Sequence, residues 1–118
     1  MPFRLDTIDE ADEEFLSIPP QIREIFIGAF RELAVAETPV LRGQGWYTEE
    51  LHQNQRIAPE GLFSLHVGRL WRGAFYRERG FLVFIGFGYR IPEFYDKLSR
   101  LRRALDERKA RPANKGRR

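Results

Sequence analysis

The chain contains no cysteine, which excludes a disulfide framework and any thiolate-bound metal. It has only two histidines, and no His, Asp or Glu cluster at ligand spacing surrounds His52, so no metal site is expected. No apolar run approaches the roughly 18 residues that a membrane span requires. The opening MPFRLDTIDEADEE lacks a basic stretch followed by an apolar one, and no secretion signal is expected from it. Gly86-Phe87-Gly88 lacks the spacing and helix entry of a phosphate-cradling loop. No internal repeat is visible. These absences predict a soluble, cytoplasmic domain with neither cofactor nor metal.

What is present is an uneven distribution of charge over 118 residues. Residues 1–59 hold 5 basic and 11 acidic side chains, whereas residues 60–118 hold 15 and 6, so a half of net charge −6 precedes one of +9. A basic half of this size is an electrostatic footprint for a polyanion, nucleic acid ahead of an acidic protein. The length fits a single core, here assigned to residues 1–110. The closing residues 111–118 are basic, broken by Pro112 and Gly116, and expected to be disordered.

Phe3 to Ile8 alternates and predicts a first strand. Asp9 is expected to cap a short acidic helix over Ala11 to Ile18, which Pro19-Pro20 ends. Gln21 to Ala36 is the clearest helix: Ile22, Ile25, Phe26, Ala29, Phe30 and Leu33 form one continuous apolar stripe. From Glu37 to Glu60 periodicity fades among turn residues such as Thr38-Pro39 and Arg42-Gly43-Gln44-Gly45. Trp46, Tyr47 and Leu51 are scattered anchors there, and a short strand or helix has room to form. Residues 92–109 predict a last helix, with Phe94, Leu98, Leu101 and Leu105 as its buried stripe and Arg100, Arg102, Arg103, Arg108 and Lys109 covering its other faces.

The densest β-type sequence lies between, in GLFSLHVGRLWRGAFYRERGFLVFIGFGYRIPEFY. Leu62 to Val67, Leu70 to Arg77 and Phe81 to Phe87 are bounded by glycines and joined by short linkers, which predicts an antiparallel three-stranded meander. Alternation in the middle strand sets Trp71, Gly73 and Phe75 on one face and Arg72, Ala74 and Tyr76 on the other. Arg72 thus projects beside a strand with no charge between Phe81 and Phe87. A guanidinium in that setting requires an anionic partner or a route to water.

Strand, two-helix hairpin, irregular connection, meander and C-terminal helix, in that order, resemble the RelE/ParE/HigB superfamily of bacterial type II toxins over roughly residues 3–108. The likeness rests on Leu65-His66-Val67-Gly68-Arg69-Leu70-Trp71-Arg72-Gly73-Ala74-Phe75-Tyr76, which fits a family strand, and on Gly86-Phe87-Gly88-Tyr89-Arg90 before the last helix. It implies an α+β fold, an antiparallel twisted sheet made of the N-terminal strand and the meander, packed with the helix hairpin and the last helix. It also implies a toxin neutralised by a cognate antitoxin, acting on mRNA at the ribosome by attack of the RNA 2′-OH on the adjacent phosphate. In such a reaction the protein supplies proton transfer and charge stabilisation, without metal or cofactor.

By the same resemblance, Arg72 contacts the scissile phosphate, Arg90 is a second basic residue at the sheet end, and Tyr95 takes the place of a C-terminal tyrosine. Family members often carry lysines on the strand entering the site, where this chain has Ser64 and His66 on one face. His66, the one group there that titrates near neutrality, is the candidate general acid or base, with Tyr95 the alternative. Ser64, Arg69, Tyr89, Arg100 and Arg103 are candidate RNA contacts. Two other activities remain open: gyrase inhibition by a ParE-like member, and non-catalytic binding of RNA or protein.

Overall fold

The computed structural model describes residues 3–50, 61–78 and 80–89. Its elements are β1 (Arg4–Thr7), α1 (Asp9–Leu16), α2 (Pro20–Val35), β2 (Arg42–Gly43), β3 (Trp46–Glu50), β4 (Phe63–Val67), β5 (Trp71–Glu78) and β6 (Phe81–Tyr89). The expected helix over 92–109 and the basic tail lie outside the described residues.

The six strands form one sheet in the order β1-β6-β5-β4-β3-β2. Every pairing is antiparallel except β1 with β6, which is parallel. Connectivity permits that exception: α1, α2 and four strands lie between β1 and β6, so no tight turn forces the two to run antiparallel. Leu62 precedes β4 by one residue, and β5 begins at Trp71, so the expected meander is present with its ends moved by one or two residues.

The apolar stripe of α2 packs as its periodicity predicts. Phe26, Ala29, Phe30 and Leu33 are buried against Trp46, Leu65, Val67, Phe75, Leu82, Phe84 and Phe87, with Ile22 and Ile25 at the margin. Phe15 of α1 joins this layer, its ring 5.1 Å from that of Phe87. Glu14 fastens the same helix to the sheet by accepting the Phe87 backbone N–H at 2.9 Å.

The first helix begins differently from the expectation. Asp9 is already helical, the capping position falls to Ile8, and no side chain caps it. The Ile8 carbonyl accepts the Asp12 N–H at 3.1 Å, while its side chain packs against both apolar clusters of the sheet. Burial of Ile8 therefore sets the helix start, and Asp9, Glu10 and Asp12 favour the first turn through its dipole.

β6 carries one irregularity that alternation alone does not give. Ala74 pairs with Gly86, but Phe75 pairs with Phe84, so Ile85 is an extra residue in β6. The slip turns both Phe84 and Phe87 toward the helices, where their rings stack at 5.3 Å with planes 9° apart. Ala74, Tyr76, Val83 and Ile85 form a second apolar cluster, with Leu62, on the opposite face.

The stretch expected to be irregular contains the β2–β3 hairpin. Its turn uses Gly45 at φ 83°, a conformation open to glycine at little cost. Thr48 ties the hairpin to the preceding loop: its hydroxyl donates to the Pro39 carbonyl at 2.6 Å and accepts the Leu41 N–H at 2.8 Å.

Candidate functional site

The sheet has two unlike faces. One is covered by α1 and α2. On the other, register places Tyr47 of β3 beside His66 of β4, and His66 beside Arg72 of β5. Glu49 pairs with Ser64, and Ser64 with Ala74, one step along the same strands. Ser64, His66 and Arg72 therefore share a face, as alternation predicts. On the far side of Arg72 the register partner is Gly88, which offers no side chain.

Arg72 is half-buried, and among the described residues no carboxylate pairs with it. Its Nη1 donates to the carbonyls of Trp71 at 3.0 Å and Arg69 at 3.4 Å, while Nε is buried without a partner. Backbone carbonyls satisfy part of the fork and neutralise none of its charge. A guanidinium left in this condition retains capacity for an anion.

His66 is 5% exposed. Its Nε2 lies 3.0 Å from Glu49 Oε2, and the Glu49 side chain is 53% exposed. The Tyr47 ring stacks on the imidazole at 4.4 Å, with planes 6° apart. Burial, and then the neighbouring Arg72 charge, push the His66 pKa below its ordinary value, while the Glu49 charge and hydrogen bond pull it upward. The net shift is downward, so the ring is held neutral at pH 7. The pair thus presents a solvent-facing carboxylate backed by a neutral, buried imidazole, beside a cation.

The other expected site residues are placed as follows. Ser64 is fully buried and its hydroxyl has no partner among the described residues. Arg69 is exposed in the β4–β5 turn. Tyr89 lies edge-on to Trp71 at 4.8 Å, and Trp71 packs on the helix-covered cluster, so the structure does not bring Tyr89 together with Arg72. Arg90, Tyr95, Arg100 and Arg103 lie outside the described residues. Glu49 and Tyr47, which contact His66, are not among the candidates that the sequence offers, where Tyr47 is only an anchor. The signal was available in Trp46-Tyr47-Thr48-Glu49, where alternate residues are buried and exposed.

Comparison with solved structures identifies the class of fold. The chain matches a structure of the RelBE2 toxin–antitoxin complex from Mycobacterium tuberculosis with a TM-score of 0.56 and 18% identity, over 76% of this chain and 100% of that one. It matches the RelB–RelE antitoxin–toxin complex from Methanococcus jannaschii with a TM-score of 0.59 and 12% identity, over 77% and 95%. The RelE–RelB complex from Pyrococcus horikoshii OT3 matches with a TM-score of 0.53 and 14% identity, over 78% and 99%. No family model and no curated protein matches the sequence. The architecture is the RelE-like α+β fold, and at these identities the likeness is one of fold.

Proposed function

We propose that this protein is the toxin of a type II toxin–antitoxin pair and cleaves mRNA at the ribosome without a metal ion. The observation that carries this reading is Arg72: a guanidinium with no carboxylate partner among the described residues, next to the His66–Glu49 pair, on one face of a RelE-like sheet. In the proposed reaction the RNA 2′-OH attacks the adjacent phosphorus as its proton passes to the His66–Glu49 pair. The exposed Glu49 carboxylate meets the proton, and the buried His66 holds that carboxylate in place. Arg72 neutralises the charge that builds on the phosphoryl oxygens. The P–O5′ bond breaks, the 5′-oxygen takes a proton from solvent water as the pair releases its own to solvent, and the upstream fragment ends in a 2′,3′-cyclic phosphate. Arg90 and Tyr95 are assigned the second cation and an alternative proton donor by resemblance alone.

An antitoxin partner is supported by the complexes of similar fold, each of which is described as an antitoxin–toxin pair. An acidic segment of that partner would compete for the basic half of the chain.

The test is a cell-free translation reaction with the full-length protein. Cleaved message with cyclic phosphate ends, insensitive to chelator, is the expected result. Intact message with loss of gyrase supercoiling would replace the nuclease reading with the ParE-like one. Intact message and unaffected gyrase would leave non-catalytic binding.

A further inference from the structure

Four side chains and a glycine stand in one cross-strand row on the face of the sheet opposite α1 and α2. Arg42 pairs with Tyr47, Tyr47 with His66, His66 with Arg72, and Arg72 with Gly88, one residue from each of β2 to β6. The first three side chains of the row touch in turn. The Arg42 guanidinium lies over the Tyr47 ring at 5.5 Å, and that ring stacks on His66 at 4.4 Å. The row is thus cation, aromatic, aromatic, cation, ending at a residue without a side chain. Adjacent strands are spaced by about 4.8 Å, which sets the Arg42 and Arg72 backbones about 14 Å apart.

We propose that this row is a track for single-stranded RNA, in which Arg42 holds a backbone phosphate distant from the one at Arg72 and Tyr47 stacks the base between them. The inference rests on the nuclease reading for the direction of the strand, though not for the binding itself. Tyr47 is 36% exposed and is backed by a buried ring, so it is a rigid platform that loses little freedom on stacking. Its contact with Arg42 is one that a base takes over when the guanidinium moves out to a phosphate. Charge fixes the line. Glu49, one step along β3, repels phosphate and confines the backbone to the row and its Gly88 end. An acidic peptide would use the two arginines but gain little from the ring between them.

Fluorescence anisotropy with a labelled 2′-O-methyl oligoribonucleotide, which has no attacking hydroxyl, measures binding by the full chain separately from cleavage. Arg42→Ala should reduce the slope of log affinity against log salt by about 0.7, the contribution of one single-strand phosphate. Tyr47→Leu should weaken binding about tenfold at fixed salt, while Tyr47→Phe stays close to wild type. Both side chains are exposed, and an unchanged melting temperature confirms that each variant is folded. An unchanged slope for Arg42→Ala, or equal affinities for Tyr47→Leu and Tyr47→Phe, overturns the track while leaving a phosphate role for Arg72 intact. So does a polyglutamate peptide that binds as tightly as the RNA whatever stands at position 47. Binding that follows Arg42 and Tyr47 with no message cleavage in translation supports the track and removes the nuclease.

Discussion

His66 is where burial, charge and chemistry meet at the scale of one residue. Its pKa is lowered first by burial and then by Arg72, against the opposing pull of Glu49. Because the folded value lies below the unfolded value of 6.5, the unfolded chain binds more protons between the two, and stability rises with pH across that window. This contribution is complete above 6.5 and is lost as the pH falls through the lowered folded value. Urea unfolding at a series of pH values should show wild type losing stability on acidification below 6.5, with a shallower loss in His66→Gln. Parallel curves would mean that His66 is not held neutral by the fold. A second residue-scale test concerns Gly43. A Cβ there would fall inside the indole of Trp46, which is buried and cannot swing aside. Gly43→Ala should cost about 1–3 kcal/mol in the same unfolding measurement.

The elements show why some of the architecture was readable in the residues and some was not. The stripe Ile22–Leu33 declared α2 because six apolar positions keep one helical phase, and the meander declared itself through glycine-bounded runs. The β2–β3 hairpin did not, because β2 is two residues long and too short to alternate. With it went Glu49, half of the pair proposed to handle the proton, which becomes visible only when β3 is laid beside β4. The Ile85 bulge was equally silent, since an apolar strand buried on both faces carries no polar marker of phase. Arg72 and His66 were legible because charge and imidazole stand out on a strand. Arg77 was read merely as the end of a strand, yet it closes α2: its guanidinium donates to the Ala36 carbonyl at 3.2 Å and the Glu37 carbonyl at 3.0 Å and covers the Phe3 ring at 4.5 Å. Arg77→Ala should lower stability by about 1–2 kcal/mol, and Arg77→Lys should recover only part, because an ammonium cannot reach both carbonyls as a fork. Equal stability of all three forms would show that this helix end needs no cap.

For the whole molecule, the decisive feature is that the face of the sheet opposite α1 and α2, which also buries Leu62, Ala74, Tyr76, Val83 and Ile85, carries cations and aromatics along one line across β2 to β5. The acidic first half supplies α1, α2 and Glu49, while the basic second half supplies Arg69 and Arg72. No helix among the described residues is long and apolar enough to cross a membrane. In the proposed reaction the phosphate that reacts meets Arg72 on this face of a RelE-like sheet. The most direct measurement is the single-turnover rate of message cleavage in a translation reaction, compared between wild type and Arg72→Ala with matched melting temperatures. Loss of one charge-stabilising donor at the reacting phosphate should lower that rate about 100-fold or more. Cleavage by Arg72→Ala at the wild-type rate would contradict the role assigned to this guanidinium.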